Sequence, residues 1–417
     1  MADIPLVGRF FEKPQAVVSK TEVSLEYWGM FEPEQVMQPL IDKYQEVNPK
    51  VKITYSERKF EDNLSRYKKT LLGRLKDSSG PGIFRMHSTW VSEFLSEISR
   101  NNSAITTEDF NTRFYPVATD QCTISNGGVV CVPLMYDGLA ILYNKNMFTD
   151  AGVPVPTSWD EIKTASATLA QRNGKVLTRG GIALGTAGNV ANSTDILGLM
   201  FVQSKVKIPD DLGSEAAVAA LTYYVDYAKK DNVWSADMPY STIAFATEKT
   251  AMMIGTSWQM LEILDLNPTL DFGVIELPQL ETLDGGTTHE TWASFWVESV
   301  SADLSQEEQV AAWDFLNWLS QPEQQMQLYS ESSKYRKFGE IYSDISLKAN
   351  LGGVSYLAPI VNQAGFAKTS IINDLSGNDE YANIIKQAID AVNNGTLPLD
   401  ALKTAKQNYI NLQSRGN

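Results

Sequence analysis

Apolar and polar residues follow one another along the first part of the chain in extended and helical patterns. VSLEYW predicts a strand, and VKITYS shows the apolar alternation of a second strand. Residues 35–47 carry apolar side chains at helical spacing, with Pro39 expected in the first turn of a helix that starts late. Residues 64–75 predict an amphipathic helix, and residues 82–86 a short strand. This order predicts an α/β fold with a largely parallel sheet covered by helices.

The second half of the chain repeats this alternation. GIAL around Ile182 and AMMI around Met252 predict short strands, each followed by a loop containing glycine. DFGVIELP and TWASFWVES predict two more strands. Ser305, with Glu308 three residues later, is typical of a capping box at the start of a helix. Three helices are predicted at the end of the chain, near residue 356, over 380–392 and over 400–412.

The loops after the predicted strands contain the candidate ligand-binding residues. Ligands of open α/β sheets bind outside the carboxyl ends of the strands, so position alone selects these loops. The loops combine aromatic rings, small residues and neutral polar groups. That mixture suits a sugar, because a ring packs on the apolar face of a pyranose while polar groups satisfy its hydroxyls. The candidates are Trp28, Gly29, Met30, Phe31, His87, Ser88, Trp90, Asn189, Thr256, Ser257 and Trp258.

Composition narrows the possible functions. A chain of 417 residues, 43% hydrophobic and 20% charged, is typical of a globular protein with two or three domains. Its formal net charge of -15 argues against binding to nucleic acid or through a polybasic membrane surface. No apolar run approaches the ~18 residues of a membrane span. We expect no metal site and no cofactor, because the chain has only two histidines, both distant in sequence from its cysteines.

The two cysteines of the chain, Cys122 and Cys131, flank the segment TISNGGVV. Asn126, Gly127 and Gly128 predict a tight turn between two extended runs, so the cysteines are expected to face each other across a hairpin. Two outcomes stay open from the sequence: a disulfide in an oxidising compartment, or two buried free thiols.

Four segments, in this order along the chain, carry a resemblance to a known family. They are VPLMYDGLAILYNKNMFTDAGVPVPTSWDEI, FATEKTAMMIGTSW, DFGVIELPQ and SVSADLSQEEQVAAWDFLNWLSQPEQQMQLY. From about residue 22 to its end, the chain resembles the extracellular solute-binding proteins of ABC importers, family 1, the maltose-binding-protein-like carbohydrate type. One departure is the segment 288–293, which is THETWA where the family has glycines. The identity of the sugar therefore does not transfer from the family.

The resemblance implies a two-lobe periplasmic-binding-protein-like fold, with discontinuous lobes joined by crossing strands. The expected lobes are residues 22–132 with 279–325, and 133–278 with 326–417, after a flexible tether over 1–21. The first crossing adds Tyr136 and Asp137 to the candidate site, and Trp292 is expected to face the cleft. The resemblance further implies a monomer outside the cytoplasm, in the periplasm or at the cell surface, with a lipid-anchored precursor. The expected partners are a sugar ligand, held by hinge closure, and the permease of an ABC importer.

Two other classes of function stay open. One is a receptor of the same fold for a polyamine, a metal or an anion. The other is a polysaccharide-degrading enzyme or a surface adhesin. The sequence contains no G-x-S-x-G elbow, no P-loop and no dinucleotide-binding fingerprint after a strand, which favours binding over catalysis and gives no catalytic residues.

Overall fold

The computed structural model describes residues 22–59, 63–101, 105–125, 127–281 and 285–414. The predicted tether over 1–21, and Asn126 of the predicted turn, lie outside the described residues. The strands are β1 (Val23–Gly29), β2 (Val51–Glu57), β3 (Ile83–His87), β4 (Ala140–Asn144), β5 (Gln171–Asn173), β6 (Val176–Ile182), β7 (Thr250–Gly255), β8 (Phe272–Ile275), β9 (Thr291–Trp292), β10 (Trp296–Val300) and β11 (Ala367–Lys368). The helices are α1 (Glu34–Val47), α2 (Leu64–Lys76), α3 (Val91–Phe94), α4 (Thr107–Arg113), α5 (Pro116–Cys122), α6 (Lys145–Ala151), α7 (Trp159–Leu169), α8 (Ser193–Gln203), α9 (Glu215–Lys229), α10 (Ser241–Ala246), α11 (Ser257–Leu266), α12 (Gln306–Leu319), α13 (Pro322–Ser332), α14 (Lys348–Leu351), α15 (Ala358–Gln363), α16 (Asp379–Asn393) and α17 (Pro398–Gln413).

The first sheet has the strand order β10-β3-β1-β2. β1 pairs in parallel with β2 and β3, as predicted, whereas β10 returns from late in the chain and pairs antiparallel with β3. In β1 the side chains of Val23, Leu25 and Tyr27 are buried and alternate with exposed ones, which seats one face of the sheet against the core. Arg85 of β3 and Glu298 of β10 are both buried and form an ion pair, with 2.6 Å between Nε and Oε1. The late strand is therefore fixed to the sheet by charge as well as by backbone hydrogen bonds.

The second sheet has the strand order β5-β6-β7-β4-β8. β6 and β7 are parallel, while β4 is antiparallel to both of its neighbours and β5 is antiparallel to β6. The prediction of a largely parallel sheet is therefore wrong for this lobe, because β4 enters it from the first crossing and β5 and β6 are consecutive strands joined by a tight turn. The capping box predicted at the start of α12 is confirmed: Ser305 and Glu308 each accept a hydrogen bond from the other's backbone N–H. None of the described helices is both long enough and apolar enough to cross a lipid bilayer.

Three stretches of chain connect the sheets, at 133–138, 291–296 and 341–344. They run side by side and are hydrogen-bonded to one another, and two of the contacts are antiparallel bridges. The backbone hydrogen bonds are Tyr136 N to Ile341 O (2.9 Å), Leu139 N to Trp292 O (3.0 Å) and Ser294 N to Asp137 O (3.1 Å). The fold is thus two α/β lobes joined by a narrow set of crossings, the architecture implied by the resemblance.

Contacts near the two later crossings bear on where the lobes divide. Gln203 of α8 donates to the carbonyl oxygens of Pro278 (2.8 Å) and Glu290 (3.1 Å), so the chain between them lies on the second lobe. Lys43 of α1 pairs with Glu323 of α13 at 2.7 Å, so α13 lies on the first lobe. Both contacts favour crossings later in the chain than the expected boundaries at 279 and 326, and the division itself stays a prediction.

Two local predictions were wrong. Pro39 lies inside α1 rather than in its first turn, because the helix already begins at Glu34 and the burial of Met37 and Leu40 offsets the hydrogen bond that proline cannot make. TWASFWVES is also not one strand. Its first two residues form β9, which pairs with β11, and its last four belong to β10 in the first sheet, because the chain crosses between the lobes in the middle of the segment.

The cysteine pair differs in part from the predicted hairpin. A disulfide joins Cys122 and Cys131, whose Cα atoms lie 4.9 Å apart. Cys122, however, is the last residue of helix α5 and does not belong to an extended run. The turn is closed just beyond it by an antiparallel bridge between Thr123 and Val129. The disulfide therefore links a helix end to the segment that leads into the first crossing.

Candidate functional site

Loops that follow strands of the two sheets meet where the lobes contact each other. Those after β1 and β3 come from the first lobe, and those after β6 and β7 come from the second. The predicted aromatic residues meet there, since the ring centroid of Phe31, after β1, lies 5.6 Å from that of Trp258, after β7. Both side chains are half-buried and keep part of their surface exposed. Residues that follow strands of two different sheets thus form one aromatic contact.

Trp258 is also contacted by a cation. The guanidinium carbon of Arg336 lies 4.6 Å from the centroid of the Trp258 ring. Arg336 Nη2 donates to Glu32 Oε1 at 2.6 Å and to Glu340 Oε1 at 3.1 Å, and Ser332 Oγ donates to Glu32 Oε2 at 2.9 Å. Burial raises the pKa of Glu340, the neighbouring Glu32 raises it further, and Arg336 opposes the rise. Glu32 of the first lobe and Glu340 near the third crossing therefore hold the Arg336 guanidinium against the ring of Trp258 on the second lobe. Trp258 is one of the rings that the sequence predicts to pack on a sugar.

Asp137, on the first crossing, fixes the turn after β7. Its Oδ2 accepts from Ser257 Oγ at 2.8 Å, and its Oδ1 accepts from the backbone N–H groups of Ser257 (3.1 Å) and Gly138 (2.8 Å). Burial raises the pKa of Asp137 to about 6, although these hydrogen bonds, the strongest of them from Ser257, act in the opposite direction. Both carboxylate oxygens have protein partners, so Asp137 positions the loop that carries Trp258.

His87, at the end of β3, is fully buried. Its Nδ1 lies 2.8 Å from Thr89 Oγ1, its Nε2 lies 3.1 Å from Ser294 Oγ, and its ring meets that of Trp296 edge to face at 5.3 Å. Burial, with a smaller contribution from Lys68, lowers the pKa of His87 to about 3. The imidazole is therefore neutral near pH 7 and ties the first sheet to the second crossing.

Trp90 takes part in a direct contact between the lobes. Its Nε1 donates to the carbonyl oxygen of Ser376, which lies just before α16, at 2.8 Å. Two residues later, Asn378 accepts from Lys68 Nζ and donates to Thr89 Oγ1, both at 2.7 Å. We name residues 376–378 the strap, since they join the second lobe to the first.

Trp292, on the second crossing, lies at the base of the cleft and is buried. Its Nε1 donates to Asp195 Oδ1 at 2.6 Å, and the other oxygen of Asp195 accepts from the backbone N–H of Asp374 at 3.0 Å. Asp374 pairs in turn with Lys386 Nζ at 2.8 Å. Burial, helped by Asp374, raises the pKa of Asp195 well above its ordinary value. Gly198 allows the close packing, because a Cβ there would lie 2.4 Å from the Trp292 ring.

Trp28 lies away from this aromatic contact. Its Nε1 donates to Glu26 Oε1 at 2.7 Å, and the guanidinium carbons of Arg58 and Arg74 lie 4.0 Å and 5.7 Å from its ring centroid. The ring is buried at the end of β1, among charged groups of the first lobe.

The remaining predicted residues mostly support the walls of the cleft. Met30 is buried and its carbonyl oxygen accepts from Arg85 Nη1 at 2.7 Å. Gly29 lies so close to Tyr55 that a Cβ would be 2.1 Å from its hydroxyl oxygen. The Tyr136 ring lies 5.0 Å from that of Tyr115, and Asn189 donates to the carbonyl oxygens of Ser235 and Met238. Thr256 forms a capping box with Gln259. Ser88 is buried, and its hydroxyl has no hydrogen-bond partner among the described residues.

Several site residues were not found from the sequence. Arg336 and Glu32 are 304 positions apart. Glu32 directly follows the candidate loop that ends at Phe31, but Arg336 lies in no apolar pattern and after no predicted strand, so the pair was not visible. Trp296 was visible as an aromatic residue of a predicted strand, but its contacts with Phe31 (5.1 Å) and His87 depend on the turn of the chain at the second crossing. In the parts of the chain that the structure describes, no three His, Cys, Asp or Glu side chains are grouped as a metal site would require.

Two α/β lobes, joined by three adjacent crossings and meeting through aromatic loops, define the architecture of a two-lobe binding protein. The chain belongs to the family of bacterial extracellular solute-binding proteins, whose sequence model matches residues 40–336.

Individual relatives agree with this family. A multiple sugar-binding protein of Streptococcus mutans is 27% identical over 177 residues, which span 39% of this chain and 41% of that relative's length. The cyclic alpha-maltosyl-1,6-maltose binding protein of Arthrobacter globiformis is similar in structure, with a TM-score of 0.74 and 22% identity over 93% of this chain and 97% of the other. The GacH receptor of Streptomyces glaucescens, solved with and without acarbose, has a TM-score of 0.70 and 20% identity over 94% and 99% of the two chains.

Proposed function

We propose that this protein is an extracytoplasmic receptor that captures a sugar or oligosaccharide between its lobes and delivers it to the permease of an ABC importer. The observation that carries the proposal is the contact between Phe31 and Trp258. It brings two partly exposed rings, one from each lobe, into direct contact, so that their uncovered surfaces lie side by side. Rings in that position can pack on the apolar face of a pyranose, as the sugar-binding relatives lead us to expect.

Hinge closure links ligand binding to the relative position of the two lobes. A ligand that touches Phe31 and Trp258 together gains both contacts only when the lobes are close, so it shifts the population toward the closed form. The three crossings are short and hydrogen-bonded to one another, which suits a rotation of one lobe against the other about a narrow axis. In this role the protein binds its ligand without altering it, and the closed shape is what the permease recognises.

We also propose that the receptor is a monomer and that its precursor is anchored at the outer face of the membrane by a lipid. Sedimentation in the presence of ligand tests the first point, since a monomer of 46.2 kDa is expected. Labelling of the full precursor in cells with a radioactive fatty acid tests the second, and a precursor without label would contradict it.

The function is tested by a thermal-shift panel of mono- and oligosaccharides, with spermidine, zinc and phosphate as competitors of different chemistry. A bound sugar raises the melting temperature, because it binds the folded state alone. A shift with spermidine, zinc or phosphate but with no sugar would replace the proposal by the corresponding receptor. Release of reducing ends from a glycan during incubation would indicate an enzyme.

Trp258→Ala locates the site. Removing the ring should weaken sugar binding by up to about tenfold, since aromatic packing of this kind contributes roughly 0.5–1.5 kcal/mol beyond the area it buries. The matched control is Trp318→Ala, a half-buried tryptophan of α12 that packs on Phe315 in the first lobe. Equal affinities of the wild type and Trp258→Ala, measured by calorimetry, would remove Trp258 from the site.

A further inference from the structure

The strap, residues 376–378, is anchored in the second lobe and reaches across to the first. Just before it, Thr194 Oγ1 donates to the carbonyl oxygen of Ile372 at 2.6 Å, and Asp374 Oδ1 accepts from Lys386 Nζ of α16 at 2.8 Å. Just after it, α16 packs on α8 and α9 of the second lobe. Both ends of the strap therefore move with the second lobe, whereas the strap itself touches the first.

Hydrogen bonds between buried groups join the strap to the first lobe. Trp90 Nε1 donates to the carbonyl oxygen of Ser376 at 2.8 Å. Asn378 Nδ2 donates to Thr89 Oγ1, and Asn378 Oδ1 accepts from Lys68 Nζ, both at 2.7 Å. All five residues are buried. Because a buried polar group is costly to leave without a partner, the lobes can separate here only when water replaces these bonds together.

Close packing at Gly377 adds to the hydrogen bonds. A Cβ there would lie 2.9 Å from the carbonyl oxygen of Leu64 and 3.0 Å from the ring of Trp90, both in the first lobe. The φ of Gly377 is +76°, and that of Leu375, just before the strap, is +50° although it is not a glycine. Both values lie in the left-handed region, which a segment keeps only where its surroundings hold it. The contacts with the first lobe supply that hold.

A line of rings connects the strap to the aromatic contact between the lobes. The ring centroid of Trp90 lies 5.4 Å from that of Trp296, which lies 5.1 Å from that of Phe31. Phe31 in turn meets Trp258 of the second lobe at 5.6 Å. The first-lobe rings of both contacts thus pack on one another and belong to one part of the first lobe. Moving that part away from the second lobe has to break both contacts.

We propose that the strap is a clasp that holds the lobes of the ligand-free protein together, so that its release gates the entry of a sugar between them. The gating rests on the proposed function, whereas the closure of the ligand-free protein does not. The clasp needs no ligand, because the side chain of Asn378 and the carbonyl oxygen of Ser376 have their partners within the protein. It stabilises the free and the bound closed forms alike, so it slows both entry and exit of the sugar without setting the affinity.

Exchange of indole N–H groups for deuterium, followed by NMR on ligand-free protein with isotope-labelled tryptophan, tests the closure. Asn378→Ala removes both bonds of that side chain to the first lobe, while Lys68 stays paired with Glu93 at 2.6 Å. No buried charge is therefore left alone. The Trp90 N–H should exchange on the order of tenfold faster in this variant, because local opening of the strap exposes it to water more often.

Internal and matched controls separate release of the strap from general loosening. Trp313 donates its indole N–H within the first lobe, so its exchange rate should not change. Gly377→Ala pushes the strap off the first lobe and should also speed exchange of the Trp90 N–H. Its matched control is Gly395→Ala, at a φ of +103° on the second lobe, where an added Cβ has no heavy atom within 4 Å. That variant should leave the Trp90 rate unchanged.

Stopped-flow fluorescence with maltotriose and mannotriose tests the gating. For a sugar that binds, Asn378→Ala should raise the association and dissociation rate constants by the same factor, on the order of tenfold, and leave Kd unchanged. A faster dissociation alone, with weaker affinity, would overturn the clasp, because it would show that the lobes of the ligand-free protein are already apart.

The outcomes distinguish the clasp from the receptor function. Equal exchange of the Trp90 N–H in the wild type, Asn378→Ala and Gly377→Ala also overturns the clasp, and it leaves the receptor function standing. Failure of both sugars to bind the wild type counts against the receptor function for these sugars, and the exchange rates then decide the closure of the ligand-free protein by themselves.

Discussion

Acid should destabilise this protein through one buried histidine. His87 has protein partners on both ring nitrogens and no exposed surface, and burial lowers its pKa from the ordinary 6.5 to about 3. The unfolded chain takes up a proton below pH 6.5, whereas the folded chain does so only near pH 3. The contribution of His87 to stability is therefore fully present above pH 6.5 and is lost progressively as the pH falls toward 3.

The size of the effect follows from the two pKa values. The full difference of 3.5 units corresponds to about 5 kcal/mol, and between pH 7.5 and pH 5 the expected loss is about 2 kcal/mol. His87→Gln removes the titrating group and keeps a polar side chain at that place. The variant should be less stable than the wild type at pH 7.5, because it leaves a cavity beside Trp296, but the difference between the two proteins should shrink by about 2 kcal/mol at pH 5.

Urea unfolding followed by tryptophan fluorescence at pH 7.5, 6 and 5 measures this difference. His289→Gln, which removes the chain's other histidine from an exposed position, is the matched control. Proton-detected NMR of the imidazole carbons gives a direct readout, since the signal lost in His87→Gln should not titrate between pH 8 and pH 4.5. Parallel stability curves for the wild type and His87→Gln, or a His87 signal that titrates near pH 6.5, would refute the reasoning.

Three other predictions concern the crossings, the disulfide and the strap. Asp137 has a pKa raised from 3.8 to about 6, so its contribution to stability is present below pH 3.8 and is lost as the pH rises through 6. Asp137→Asn should therefore gain about 2 kcal/mol on the wild type between pH 4 and pH 7 in urea unfolding, and a constant difference would contradict this. Replacing both Cys122 and Cys131 by serine should lower the free energy of unfolding by about 3 kcal/mol. The loss is limited to this size because the disulfide closes a short loop, and the stabilisation grows with loop length. Wild type in reductant should match the variant. Asn378→Ala removes the hydrogen bonds of Asn378 with Lys68 and Thr89 of the first lobe, which are worth about 1–3 kcal/mol together. The radius of gyration of the ligand-free protein, measured by X-ray scattering, should therefore increase. Identical scattering curves would show that the strap does not hold the lobes together.

Local patterns were enough to predict most of the elements and the fold class. Alternating burial in β1 and the capping box of Ser305 are properties of short segments, so the sequence displays them directly. The errors arose where distant chain decides the outcome. TWASFWVES has the composition of a single strand, yet it is divided because the crossing between lobes needs a change of direction at Ala293 and Ser294. Pro39 would end an isolated helix, but packing against the core keeps α1 intact.

The sequence predicted two of the aromatic loops that meet between the lobes, but not how the side chains around them are paired. The rule that ligands bind at the carboxyl ends of strands selected the loops of Phe31 and Trp258, and the fold brings those two rings together. The same rule selected His87 and Trp90, whose polar atoms are already paired within the protein. No local pattern distinguishes a polar side chain aimed at a ligand from one aimed at another lobe, because the partner is hundreds of residues away.

This pairing limits how recognition can work. A ligand gains little from Trp90 or Trp292 while each indole N–H already donates to a protein oxygen, since a new hydrogen bond would only replace an existing one. If the rings of Phe31 and Trp258 bind the sugar as proposed, selectivity comes from the parts of their surfaces that the protein leaves uncovered. The side chains paired between the lobes, such as Trp90 and Asn378, act on the equilibrium between open and closed lobes in the absence of ligand. Each such contact already favours the closed form, so it reduces the shift in population that a ligand can add.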